Sequence, residues 1–487
     1  MEKNIMKTKK MISRRLTLKS IGALGASAVL GAKTGYAGEK EPSNASPDLR
    51  SSDVRKKIFD KVLNTPFIDT HEHLVEEKER LEGSSGRVKC DDWSFVLSHY
   101  LDSDLTAAGM PAESYRRFFS AKTDPIEKWR IIEPYWPAVK HTGYGLAVRI
   151  AFKELYGVDE LSEKTVAKVQ AGYESTRKKG FYRKILRDMA NIESCQVNCL
   201  TEPFTKSEMP TFLMQDLNIS GMLQGPDFVQ YGTPTGLKVE TLDDWHKVID
   251  WWFDKYGKYA TAAKSLNAYS RDINYKNISA EKVSPLFSKT LERKSLTDPE
   301  KKSLEDHLFW YCVRKADEHN LPVKLHTGYH AGANYLPLSR ISNVPGSASE
   351  LWYESKNTRF VFMHICYPYY EPMIALAKQF TNAYIDMCWS WIINPIAAKD
   401  FLKKYLMTAP ANKIVTFGGD YTPVEPVLGH AVIARRGIAT ALSELVEEDW
   451  LTTEQAMKLT DVIMHENARK IFNLSEKENI LSKVTWG

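Results

Sequence analysis

Short apolar runs punctuate this chain, and longer stretches with apolar residues three and four apart lie between them. The runs fall at 67–68, 195–200, 219–223, 261–266, 322–325, 360–363, 383–387 and 414–417. Runs this short, bounded by polar and turn residues, read as buried strands. Helical spacing is clear at 51–64, where Val54, Ile58 and Val62 share one stripe, and at 242–256, 304–319, 370–380 and 397–407. Alternating strand and helix predicts a parallel sheet, and eight repeats predict an α/β fold of the (β/α)8 TIM-barrel type. A doubly wound open sheet is the structural alternative. The stretch 76–190 breaks the rhythm: it is rich in helix formers, Trp and Tyr, and predicts a long helical insertion after strand 1. Within it, Pro134-Tyr135-Trp136, Lys140 and Thr142-Gly143-Tyr144-Gly145 suit a lid over substrate or ordinary helix packing equally.

Length and composition leave this picture intact. The 487 residues, 43% hydrophobic, suffice for one domain of this type with insertions. After the N-terminus no apolar run reaches the roughly 20 residues of a membrane span. Residues 1–37 read as a signal peptide. A basic segment (Lys3, Lys7, Lys9, Lys10, Arg14, Arg15) precedes a short apolar one at 21–32, and Gly35-Tyr36-Ala37 suits cleavage. Ser13-Arg14-Arg15-Leu16 resembles the twin-arginine signal, so export of a folded chain to the periplasm is expected. The layout is then a leader at 1–37, a flexible tether at 38–50, the barrel at 51–474 and a C-terminal tail at 475–487. The leader holds eight Lys/Arg against one acidic residue, so the remainder is slightly acidic although the whole chain carries +5. No basic surface for nucleic acid is expected. Cys90, Cys195, Cys199, Cys312, Cys366 and Cys388 show no disulfide framework and read as buried free thiols.

The chemistry concentrates at strand ends. In T-P-F-I-D-T-H-E-H-L at 65–74, His71 and His73 stand two apart, which on an extended backbone puts both rings on one face. His326 closes the fifth run, His364 the sixth and Asp420 the eighth. In a parallel barrel these ends share one face, where active sites lie. A catalytic divalent ion wants a few neutral nitrogens, a carboxylate and an open position for water. His71, His73 and His326 can supply the nitrogens; Asp420 can supply an oxygen and accept a proton. His364 is either a ligand of a second metal or a general acid acting on substrate. His330, Lys264 and Arg340 are further candidates for a second metal or for substrate, and Arg271 could pair with an anion. Tyr367, Tyr369 and Trp389 could stack on a ring. His246, His307 and His319 fall within helices and read as structural or exposed.

This set, H-x-H after strand 1, His after strands 5 and 6 and Asp after strand 8, resembles the amidohydrolase superfamily. Asn467-Ala468-Arg469-Lys470-Ile471-Phe472 is similar to the helix that closes such barrels. The resemblance covers about 65–474 and points to the one-metal, amidohydrolase-related branch. It implies that His71, His73, His326 and Asp420 bind metal, with His364 as catalytic base or acid. Two-metal members carry a carboxylated lysine after strand 4, where Lys264 lies. The long insertion, and 429–436 with His430, Arg435 and Arg436, resemble the uronate isomerases of the superfamily more loosely. The expected function is a metal-dependent hydrolase, with one or two divalent ions, most simply zinc. Its substrate would be an amide, ester or lactone of a small carboxylated or sugar-derived molecule. A uronate-isomerase-like isomerase or a non-oxidative decarboxylase on the same site is the alternative, and a non-catalytic ligand-binding barrel a third. Such barrels often pair, so a homo-oligomer is expected.

Overall fold

A computed structural model describes residues 47–83, 88, 90–223, 228–332 and 336–486. The expected leader lies outside the described residues. The helix expected over 51–64 runs Pro47–Asn64 and so takes in the end of the expected tether.

Nine short strands follow. They are β1 (Phe67–Glu72), β2 (Ile192–Val197), β3 (Leu213–Gln215), β4 (Leu217–Asn218), β5 (Ala263–Ser265), β6 (Val323–Leu325), β7 (Phe360–Phe362), β8 (Ala383–Asp386) and β9 (Ile414–Val415). Every ladder is parallel. The ladders group as β1-β2-β3 and as β4 through β9 in sequence order, and no single closed ladder is present among the described residues. Backbone hydrogen bonds nonetheless reach across both gaps. Asp216, the one residue between β3 and β4, donates to Val197 O (2.9 Å), and Leu217 donates to Ala262 O (2.8 Å). At the other side Thr70 donates to Phe417 O (3.0 Å) and Asp420 to His71 O (2.8 Å).

The third expected strand is misplaced. Residues 213–218 carry the strand positions, and Ser220–Leu223 is a short helix. Asn218 Oδ1 accepts the Ser220 N–H at 3.0 Å and turns the chain there. Met222 and Leu223 are fully buried, so their hydrophobicity reports burial, and a short apolar run cannot by itself tell strand from helix.

Between β1 and β2 the described chain is helical, the longest pieces being Gly143–Tyr156 and Val166–Thr176. The outer helices carry clear starts: Thr241 with Asp244, and Thr297 with Glu300, form reciprocal caps on Leu242–Tyr256 and Asp298–Glu318. Alternate strand residues point inward, so Ile68, Met214, Ala262, Val361 and Val415 gather in one small cluster with Ala468, Ile471 and Phe472. The helix Asn467–Ile471 therefore plugs the end of the strand layer opposite the site. Asn467 Nδ2 anchors it by donating to Ala411 O (2.6 Å) and Ile414 O (2.7 Å). The segment expected as a tail packs instead. It forms the helix Leu474–Leu481, and Trp486 Nε1 donates to Ser207 O at 2.8 Å.

Arg435, singled out with 429–436, is an architectural residue. Its guanidinium stacks on Phe67 (4.2 Å) and donates to Val62 O, Thr65 O, Ala190 O and Asn191 O at 2.6–3.1 Å. It ties the starts of β1 and β2 to the helix Glu425–Glu447. Five donors in a fixed plane suit this use of arginine.

Candidate metal centre

β1 delivers His71 and His73 to the same face, and the turn after β9 brings Asp420 against them. His71 Nε2 lies 3.4 Å and His73 Nε2 3.2 Å from Asp420 Oδ1. All three are buried, at 1%, 6% and 3% exposure. His73 Nδ1–H donates to Asn198 O at 2.7 Å, so a neutral His73 turns the Nε2 lone pair toward the carboxylate. Where both act as acceptors in so dry a site, a proton or a metal ion must lie between them. Among the described residues, neither ring nitrogen of His71 has a hydrogen-bond partner. Burial, then the charges of Lys264, His73 and Lys324, hold its pKa well below the usual range, so it too presents a lone pair. Burial pushes the Asp420 carboxyl up, but the imidazoles of His73, His364 and His99 that surround it outweigh burial and hold it below the usual carboxylate range. This donor set of two imidazoles and one carboxylate fits a divalent ion.

Three strand ends share a backbone device. His364 after β7, Trp389 after β8 and Asp420 after β9 all have left-handed φ, at 64°, 65° and 62°. Non-glycine residues there carry strain, and such strain gathers at functional sites. Here it turns each chain sharply so that the side chain enters the cup.

His364 is placed beside the centre, Nδ1 lying 3.9 Å from Asp420 Oδ2. Its Nδ1–H donates to Cys388 O at 3.1 Å. Burial, then the Lys264 charge against the opposing pull of Asp420, bring its pKa down to about 4, so it is neutral at pH 7. His326 stands one step away: its ring centroid is 4.5 Å from that of His364, but Nε2–H is turned to Tyr329 O at 2.8 Å. The histidines that share Asp420 Oδ1 are His71 and His73, and His326 is not joined to them. Lys264 is fully buried in β5, where burial brings it down to about 8, and Nζ donates to Met363 Sδ at 2.6 Å.

The outer candidates divide. His330 stacks on Tyr269 (4.6 Å), and Arg340 Nη2 donates to Tyr269 O at 2.9 Å, so both sit on the His326 side of the centre. Arg271 is engaged elsewhere, bonded to Glu305 (3.1 Å) and Asp306 (2.5 Å). His246 and His307 pair with each other at 2.9 Å between Leu242–Tyr256 and Asp298–Glu318.

The helical segment covers the cup. Tyr100 stacks on Trp389 (4.8 Å) and on Tyr144 (5.1 Å), and His99 packs edge-on to His73 (5.6 Å). Tyr144 thus packs with Tyr100 and Trp389 over the cup, in a segment whose sequence suited a lid and ordinary helix packing equally. A side chain on Gly143 would overlap Ile392 O, and one on Gly145 would overlap Val139 O, so both glycines are needed for this close approach. Open clefts occur elsewhere on the surface, such as one lined by Leu146, Ile396 and Val432.

Sequence reasoning overlooked Cys388, which lies next to His364 and Asp420. The signal was available, since it follows the run at 383–387 just as the histidines follow theirs. His99 and Tyr100 carried no comparable signal.

Residues 293–474 match the family model described as Amidohydrolase. Protein fluG of Emericella nidulans is 24% identical over 206 residues, which are 40% of this chain and 23% of that protein. The match therefore spans about a quarter of the curated relative. Glucuronate isomerase from Caulobacter crescentus superposes with TM-score 0.71 at 15% identity, covering 89% of this chain and 95% of its own. Uronate isomerase from Thermotoga maritima gives 0.69 at 15% identity, covering 86% and 97%. The resemblance to the amidohydrolase superfamily holds, with a uronate-isomerase-like fold and a TIM-barrel-type α/β architecture.

Proposed function

We propose that this chain, with its amidohydrolase-type domain, is a metal-dependent hydrolase that cleaves an amide, ester or lactone of a small molecule. The observation that carries the reading is the convergence of His71, His73 and Asp420, with both His71 nitrogens unpartnered among the described residues. A divalent ion held there, zinc by its fit to nitrogen and oxygen donors, would lower the pKa of a water toward about 7. Asp420 remains ionised and is placed to accept the proton. His364, neutral, stands beside that carboxylate, its Nδ1 3.9 Å from Asp420 Oδ2. Tyr100, Tyr144 and Trp389 keep bulk water away, which strengthens every charge interaction beneath them.

One observation favours a second reading. The likeness in fold to uronate isomerases covers 86–89% of this chain. Moving a proton within a sugar acid needs the same ion and the same carboxylate, and a non-oxidative decarboxylase could use them too. Purified full-length protein, assayed on N-acyl compounds, esters and lactones, should release the acid product, and His71→Ala should abolish it with the fold retained. Ketose formation from uronic acids without hydrolysis would transfer the assignment to an isomerase, and carbon dioxide release to a decarboxylase. Protein that binds no metal would end all three.

We also read residues 1–37 as an export leader that places the enzyme in the periplasm. N-terminal sequencing of the exported protein should begin near residue 38.

A further inference from the structure

We propose that Cys388 is a metal ligand and that it defines a second, softer cation position on the far oxygen of Asp420. The inference rests on the reading of His71, His73 and Asp420 as a metal centre.

The two oxygens of Asp420 face different partners. Oδ1 faces His71 and His73 at 3.4 and 3.2 Å, while Oδ2 faces His364 at 3.9 Å. A ring nitrogen of His364, the Cys388 Sγ and an Asp420 oxygen lie within 4.8 Å of one another. A carboxylate with a separate donor set on each side is arranged to bridge two cations.

The thiol is held there. Cys388 is fully buried and in no disulfide, and its backbone N–H donates to Asp386 Oδ1 at 2.8 Å, fixing the turn after β8. A Cβ on residue 418 would stand 2.7 Å from Cys388 Cβ and 2.8 Å from Sγ, so Gly418 leaves the space that the thiol fills. Cys388 also supplies the carbonyl that orients His364. That bond occupies Nδ1, the nitrogen 3.9 Å from Asp420 Oδ2, so the lone pair offered to a cation is that of Nε2 on the same ring. An ordinary core cysteine sits among apolar groups, but this one has an imidazole and a carboxylate within ligand range.

Binding replaces the S–H bond with a sulfur–metal bond and releases the proton to solvent. Thiolate favours zinc, cadmium or copper(I), and disfavours magnesium, calcium and manganese. The far position is thereby distinguished from the near one, which has only nitrogen and oxygen donors.

The test strips full-length protein of metal and reloads it with cobalt(II). The wild type should bind two equivalents and show a thiolate-to-cobalt charge-transfer band in the near ultraviolet. Cys388→Ser should lose the band and one equivalent while keeping the other, and its cadmium affinity should fall at least roughly ten-fold with manganese affinity little changed. Should the variant misfold, X-ray absorption at the zinc edge of wild-type protein reads the same point through sulfur scattering. Cobalt bound without the band, or zinc without a sulfur neighbour, overturns the inference and leaves the first centre standing. Wild-type protein that binds no cobalt overturns both.

Discussion

His73 Nε2 lies 3.2 Å from Asp420 Oδ1, although one residue follows β1 and the other follows β9. The first and last strands in sequence order therefore build the centre between them. Replacing Asp420 by Asn keeps the shape and removes the charge. We expect Asp420→Asn to lower bound metal per chain, read by elemental analysis, and to cut kcat by about 10²–10⁴-fold. Full metal content with full turnover would remove Asp420 from the mechanism.

Gly143 begins the helix that carries Tyr144 into the cover, and a methyl group there would meet Ile392 O. Alanine is otherwise the better helix former, so propensity alone predicts a gain. The overlap reverses the sign: Gly143→Ala should cost about 1–3 kcal/mol and lower the thermal midpoint. A midpoint at or above wild type would mean that the cover yields freely.

Arg80 Nη2 donates to Glu425 Oε1 at 2.5 Å, and both side chains are buried. Losing one partner strands the other charge. Arg80→Met should destabilise by about 3–5 kcal/mol in urea, and adding Glu425→Leu should restore much of it. A double variant as weak as the single one would show that packing of Arg80 on Tyr173 (4.5 Å) is what matters.

Acid should weaken the fold through His246, which burial and the neighbouring His307 charge bring down to about 4. The unfolded chain takes up this proton near about pH 6.5. Stability from the neutral ring is therefore complete above about 6.5, declines as the pH falls toward about 4, and is flat below. Urea midpoints taken through that window should drop, and His246→Gln should make the drop shallower. An identical slope in the variant would shift the cause to other groups.

Local pattern was enough for much of this. His71 and His73 share a face because any extended backbone places alternate residues so, and Asp420 could be singled out because a polar group closing an apolar run stands out. The helices at 242–256 and 304–319 were readable from their apolar spacing, but the second begins at Asp298, where Thr297 caps a polar first turn that carries no apolar stripe. The third strand was not readable, since residues 219–223 are apolar for a helical reason that only Asn218 and the surrounding core reveal.

By itself, then, the sequence determined which residues could bind a cation and that they end strands, because strand periodicity and burial are short-range properties. The tertiary structure decided which of them meet. His326 turns its Nε2 to Tyr329, Arg271 is taken by Glu305 and Asp306, and Cys388 comes to face Asp420. Those outcomes depend on backbone angles at three strand ends and on one glycine's missing side chain, and such angles are set by contacts between distant segments.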